Sequence, residues 1–241
     1  MKASTEEQSA ILDVARLDLQ LSTLTNRANT LPELASLREI TLKANASRDL
    51  RIAAETELSD VSRELARAEA DVEQIVTRIQ RDEKRLAEGA GTPKDLEHMQ
   101  HELGSLGGRR AELEEAELEI MMRVDALKAR ITALKGEEES FAAEMATLER
   151  AKAAALTAID AEKSVTSAAR ASAISNVSPE LSALYAKIAE DNFGIGAAAL
   201  VGNECKGCNL TLNTIEVQRI SALPADEVVR CEQCRCILVR N

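Results

Sequence analysis

The chain has 241 residues and a net charge of −11, and aromatic residues make up 1% of it: no Trp, one Tyr (Tyr185) and two Phe (Phe141, Phe193). That scarcity argues against a large globular core, since aromatic side chains usually supply much of the buried area in one. Charged residues reach 29%, with Ala, Leu, Glu and Arg dominant, which is the composition of long helices; the acidic excess argues against a broad phosphate-binding surface.

Residues 5 to about 88 are helix-forming, with an early apolar repeat at Leu17, Leu21, Leu24, Ala28 and Leu31. Pro32 lacks an N–H and clashes with the preceding turn, so a kink or break is expected there. The repeat resumes at Leu58, Val61, Leu65, Ala68, Val72, Ile75, Ile79, Asp82 and Leu86, with Asp82 its one polar member. Gly89 then suits the left-handed residue past a helix end, Thr92 an N-cap, Pro93 the first helical residue, and Asp95 the partner in a capping box. From Leu96 to Ile159 steps of three and four residues meet nineteen positions, of which fifteen are apolar, without a slip in phase. Such a narrow seam is the coiled-coil pattern.

Folding back at 89–93 pairs residues whose numbers sum to about 181 or 182, so Leu86 meets Leu96, Ile79 meets Leu103 and Ile75 meets Leu106. An antiparallel hairpin follows, its arm about 120 Å long at the helical rise; the interruption at the tip disfavours a parallel coiled coil between chains. Gly104, Gly107 and Gly108 read equally as a flexible point, a close backbone approach or tolerated weak spots. From Ala161 to Ser178 the pattern fades, predicting a dissolving helix and a linker. Ser178-Pro179 restarts a short amphipathic helix, and strands are predicted at Ala197–Val201, Val228–Arg230 and Ile237–Arg240.

All five cysteines lie in the last 37 residues, four of them as Cys205-Lys206-Gly207-Cys208 and Cys231-Glu232-Gln233-Cys234. Two CxxC pairs can grip a tetrahedral ion from two knuckles, and four thiolates are the donor set of structural zinc. Cys205, Cys208, Cys231 and Cys234 are thus the expected ligands of one Zn²⁺. With four protein ligands the metal has no open position for catalysis. Cys236 reads as a replacement ligand, a reactive thiol or a free cysteine beside a filled site; its place on the outgoing strand favours the last. His98 and His101 share one helical turn outside the seam and read as a solvated face. Arg78, Arg81, Lys84, Arg85, Lys94, Arg109 and Arg110 near the tip interleave with acids, as on a salt-laced helix face. No Ser/His/Asp set, phosphate loop or dinucleotide fingerprint occurs, so no enzyme and no small-molecule substrate are expected.

Three stretches resemble a bacterial family of long coiled-coil hairpins followed by a four-cysteine zinc ribbon: Pro93 to Leu103, Gly202 to Cys208, and Cys231 to Leu238. The second knuckle departs from that family's usual Cys-x-x-Cys-Gly-Arg-Ile-Leu, with Arg235 for Gly and Cys236 for Arg. A non-Gly residue in a left-handed knuckle costs roughly 1 kcal/mol or more. Members are regarded as nucleic-acid- or protein-binding regulators, so the resemblance implies an adapter that touches the transcription or RNA machinery.

The expected fold is mainly α: a coiled-coil hairpin over 1–177, with its tip near 89–93 and a kink near 32. A short helix and a small C-terminal zinc ribbon of short β-strands follow over 178–241. The expected function is a cytoplasmic, non-enzymatic zinc-binding adapter that holds a protein partner through ribbon and arm. Direct DNA or RNA binding through the ribbon is the alternative, weakened by six basic against eight acidic residues after Pro179. A self-associating spacer is the third reading, and the oligomeric state stays open. Met1 to Ala10 has no apolar h-region and no long apolar run occurs, so neither a signal peptide nor a membrane span is expected.

Overall fold

The computed structural model describes residues 1–89 and 91–240. Helix α1 (Thr5–Asn29) starts at a capping box: the Glu7 N–H donates to Ser4 Oγ at 3.2 Å, and the Ser4 N–H donates to the Glu7 carboxylate at 2.8 Å. It stops at Thr30, and α2 (Pro32–Ala87) begins on the proline, so the break expected at Pro32 is present. Gly89 has φ 64°, the left-handed residue expected past α2. Thr92 and Asp95 close the second capping box, with Thr92 N–H to Asp95 Oδ2 at 2.9 Å and Asp95 N–H to Thr92 Oγ1 at 3.3 Å. Ala90, within the expected tip, lies outside the described residues.

Helix α3 (Pro93–Ile174) is 82 residues long, and here the sequence reading needs correcting. The segment after Ala161 does not fade into a linker. It stays helical to Ile174, and α4 (Pro179–Asp191) follows after a short turn. After a second step of four from Ile159, the three-four walk resumes at Lys163, Thr166, Arg170 and Ala173 and reaches Val177 in the turn beyond the helix, all at least partly buried. The seam persists with polar or small side chains in place of leucines.

The chain forms two compact units, residues 36–148 and residues 1–35 with Glu149 onward. In the first, α2 and α3 form the antiparallel hairpin, with Leu58, Val61 and Leu65 packed against Ile120, Val124 and Leu127. Burying one such side chain contributes about 1.5–3 kcal/mol. Asp82 is 4% exposed and pairs with Arg81 at 3.3 Å and Arg78 at 3.9 Å, which accounts for a carboxylate in the seam. Arg78 also pairs with Glu102, Arg109 with Glu112 and Arg110 with Glu114, so those basic groups of the tip are laced to acids. His98 and His101 are exposed.

In the second unit a five-stranded sheet has the order β3-β2-β1-β5-β4, from β1 (Ala197–Val201), β2 (Glu204–Cys205), β3 (Leu210–Thr211), β4 (Val229–Arg230) and β5 (Ile237–Arg240). β1 and β5 pair in parallel, Ala197 with Ile237 through Leu200 with Arg240, and the other pairs are antiparallel. Between β3 and β4 lies α5 (Thr214–Ala222), capped by Asn213, whose Oδ1 accepts the Glu216 N–H at 2.7 Å. Ile11 and Val14 of α1, Leu181 and Tyr185 of α4, and Ile220, Ile237 and Leu238 make one core.

Polar bonds tie the chain's beginning to the segment just before β4. Ala3 N–H donates to the Asp226 carbonyl at 2.8 Å, Val228 N–H to the Met1 carbonyl at 3.0 Å, and buried Gln8 donates to the carbonyls of Ala3 and Ala225 at 2.9 Å. Asp18 of α1 accepts from Tyr185 Oη at 2.7 Å and from the Arg170 guanidinium, joining three helices at one carboxylate. Among the described residues, no helix is long and apolar enough to cross a membrane.

Candidate metal centre

Each CxxC pair sits on a tight turn built the same way. The N–H of Asn209 donates to the Cys205 carbonyl at 2.8 Å, and that of Arg235 donates to the Cys231 carbonyl at 2.9 Å. Both residues are left-handed, Asn209 at φ 55° and Arg235 at φ 61°. Asn tolerates that region through its short polar side chain, whereas Arg has no such compensation. The strain expected at Arg235 is therefore present.

These turns bring the Sγ atoms of Cys205, Cys208, Cys231 and Cys234 within 4.8 Å of one another. Cys205 lies 3.9 Å from Cys234, and Cys208 lies 4.0 Å from Cys231. A tetrahedron with metal–sulfur bonds of about 2.3 Å has sulfur–sulfur edges of about 3.8 Å, so the four thiols fit a bound ion. Cys205 and Cys231 are buried, while Cys208 and Cys234 are half-buried.

Burial works to raise the Cys205 thiol, yet hydrogen bonds from the backbone of Cys208 and Gly207 and from the Cys236 thiol outweigh it and hold it below the ordinary cysteine value. At Cys231 burial wins and pushes the thiol up to about 12, against the backbone bonds from Cys234 and Gln233. Without an ion, then, the cluster prefers to keep some protons. A bound cation reverses that preference by stabilising thiolates, so metal capture is coupled to proton release.

Cys236 is fully buried and closes on this cluster, its Sγ 3.3 Å from Cys234 Sγ and 3.7 Å from Cys205 Sγ. Expected along the outgoing strand, it instead packs behind the first knuckle. A Cβ on Gly207 would come 3.1 Å from its sulfur and 3.0 Å from the Ala198 Cβ, so a side chain there would have to push both back by a few tenths of an ångström, whereas the second knuckle holds Gln233 at the matching position.

The anchoring role of Arg240 and the helix α5 lie outside what is expected from the sequence. Arg240 Nη1 donates to the carbonyls of Ile220 and Leu223 at 2.9 and 3.1 Å, and Nη2 to those of Pro224 and Glu227 at 2.7 and 2.9 Å, fastening the end of α5 to the last strand. Asn213 three residues before Glu216 was the legible sign of α5.

Fold and site together define a coiled-coil hairpin protein with a four-cysteine cluster on a small C-terminal sheet. Comparison with known proteins supports the hairpin. The model of the CT398-like coiled coil hairpin domain matches residues 14–192, and the chain belongs to that family. An uncharacterized protein of Mycobacterium tuberculosis is 36% identical, the match covering 100% of this chain and 98% of that protein. A solved structure from Mycobacterium smegmatis superposes with a TM-score of 0.88 at 30% identity, over 100% of both chains. CT398 from Chlamydia trachomatis shares the fold, with a TM-score of 0.71 at 18% identity and 98% of each chain covered.

Proposed function

We propose that the four cysteines hold one structural Zn²⁺ and that the chain is a non-enzymatic adapter in the cytoplasm, presenting its C-terminal unit to a protein partner. The observation that carries this reading is the four-sulfur set within 4.8 Å. Soft thiolates select zinc over hard cations, and four of them fill its tetrahedron, which suits holding a fold together rather than activating water.

A protein partner is supported by the surface beside the first knuckle. A groove of about 660 Å³ there is lined by Leu12, Leu19, Ala189, Phe193, Ile195 and Ala198 among others. Phe193 is wholly exposed and left-handed at φ 51°, and Leu19 is 66% exposed. An aromatic held in a costly conformation without burial is the kind of anchor that a protein interface covers. Four thiolates around Zn²⁺ would add two negative charges to a segment already net acidic after Pro179, which works against phosphate contact. A role in transcription or RNA regulation is the part of the proposal drawn from the resemblance alone.

Elemental analysis of the full chain should find one zinc per molecule, and none in Cys205→Ser/Cys231→Ser. The wild type should then retain a defined protein from native extract that Phe193→Asp fails to retain. Folded wild type without metal would refute the zinc reading, and a salt-sensitive gel shift with RNA or DNA would refute the protein-partner reading.

A further inference from the structure

Cys236 is the fifth thiol of the cluster, and the zinc set has no use for it. Its sulfur makes the shortest sulfur–sulfur contact in the cluster, 3.3 Å to Cys234. The two differ in access: Cys234 is half-buried and reachable, while Cys236 is fully buried and inert toward outside reagents. That arrangement pairs a reachable thiolate with a protected second thiol two residues further on. Resting on the zinc reading above, we propose that Cys236 is the resolving thiol of a peroxide-sensitive metal site, the oxidant being hydrogen peroxide.

The chemistry balances in two steps. The Cys234 thiolate attacks the peroxide; the O–O bond breaks, Cys234 becomes a sulfenic acid, and the departing hydroxide takes a proton to leave as water. The Cys236 sulfur then attacks the Cys234 sulfur, an S–S bond forms, the S–O bond breaks, and the hydroxyl leaves as a second water with the Cys236 proton. Two thiols and one peroxide give one disulfide and two waters. The metal loses one of four ligands and is held more weakly. Because the product is a disulfide rather than a sulfinic acid, a thiol reductant restores the site; without a resolving thiol, oxidation proceeds to acids that it does not reverse.

The test uses full-length, zinc-loaded protein treated with hydrogen peroxide, with zinc release followed by a chromogenic chelator and cross-links mapped by peptide mass under non-reducing conditions. Wild type should release its zinc, show a Cys234–Cys236 cross-link, and rebind zinc after dithiothreitol. Cys236→Ser and Cys236→Ala keep all four ligands and should load zinc equally, yet after oxidation should carry sulfinic or sulfonic acid on Cys234 and fail to rebind zinc. Two buried-site variants guard against one that misfolds, and equal zinc loading before oxidation certifies each. Recovery in the variants equal to wild type, or a wild-type cross-link that omits Cys236, would overturn the proposal. Absence of zinc before oxidation counts against the zinc reading alone, because the cross-link is read by mass whether or not metal is present.

Discussion

Asp18 gathers three helices at one carboxylate, and the phenol it accepts from belongs to the chain's one tyrosine. Tyr185 is 2% exposed, and burial, with the Asp18 hydrogen bond second, raises its pKa well above the usual 10. The folded chain therefore keeps that proton at a pH where the unfolded chain releases it. Stability from this group is complete below pH 10 and is lost as pH climbs above it. With no Trp to obscure it, absorbance of the phenolate reads the titration directly. Native protein should show no phenolate at pH 10.5, where urea-unfolded protein shows most of it. Tyr185→Phe should lose about 1–3 kcal/mol at neutral pH, the scale of a buried hydrogen bond to a charged group, and with it the extra instability above pH 10. Phenolate forming near pH 10 in the native state would contradict this account.

At the scale of elements, the three glycines of α3 near the tip now have a reading. A Cβ at Gly104, Gly107 or Gly108 would meet nothing within 4 Å, so no close backbone approach demands glycine there. Each merely weakens the helix by about 1 kcal/mol relative to alanine. Replacing all three with alanine should raise the thermal midpoint of residues 36–148, by an amount equivalent to about 2–3 kcal/mol. An unchanged or lowered midpoint would show that those positions serve something other than propensity. Gly196 is the counter-case: a Cβ there would lie 2.5 Å from the Tyr185 ring, so alanine must displace the core. What could be read from sequence divides along similar lines. The hairpin, its tip caps and the four-cysteine spacing are local or periodic signals, and Leu58, Val61 and Thr92 announce themselves. The end of α3 is not legible because its seam passes through Lys163, Thr166 and Arg170. Arg170 is there for a carboxylate on α1, 152 residues away in the chain. Parallel pairing of β1 with β5, and the turn of Cys236 toward Cys234, are likewise products of tertiary packing that no window of residues displays.

For the whole molecule, the two compact units are held by different physics. Residues 36–148 rely on a repeating seam, where each heptad adds its own increment and no single contact is decisive. The other unit closes a small core between the first residues of the chain and the last, through Ile11, Val14, Ile237 and Leu238 and the bonds of Ala3, Gln8 and Val228. Its two-residue strands β2, β3 and β4 are too short to be stable by pairing alone, so an ion held by the four thiols, as proposed above, would fix the knuckles that follow β2 and β4. An ion bound only by the folded state stabilises it by mass action, and removing the ion withdraws that stability from every segment folding with the site. Because α1 packs on the sheet, its opening turns belong to that set although they are about two hundred residues from the cysteines. Hydrogen exchange with and without a strong zinc chelator tests this in the intact chain. Amides of Gln8 to Val14, Ala197 to Val201 and Ile237 to Arg240 should lose protection together, while those around Val61 and Val124 keep theirs. Loss confined to the two knuckles would mean that the apolar core suffices without the metal; equal loss along the hairpin would mean that the chain unfolds as one cooperative body.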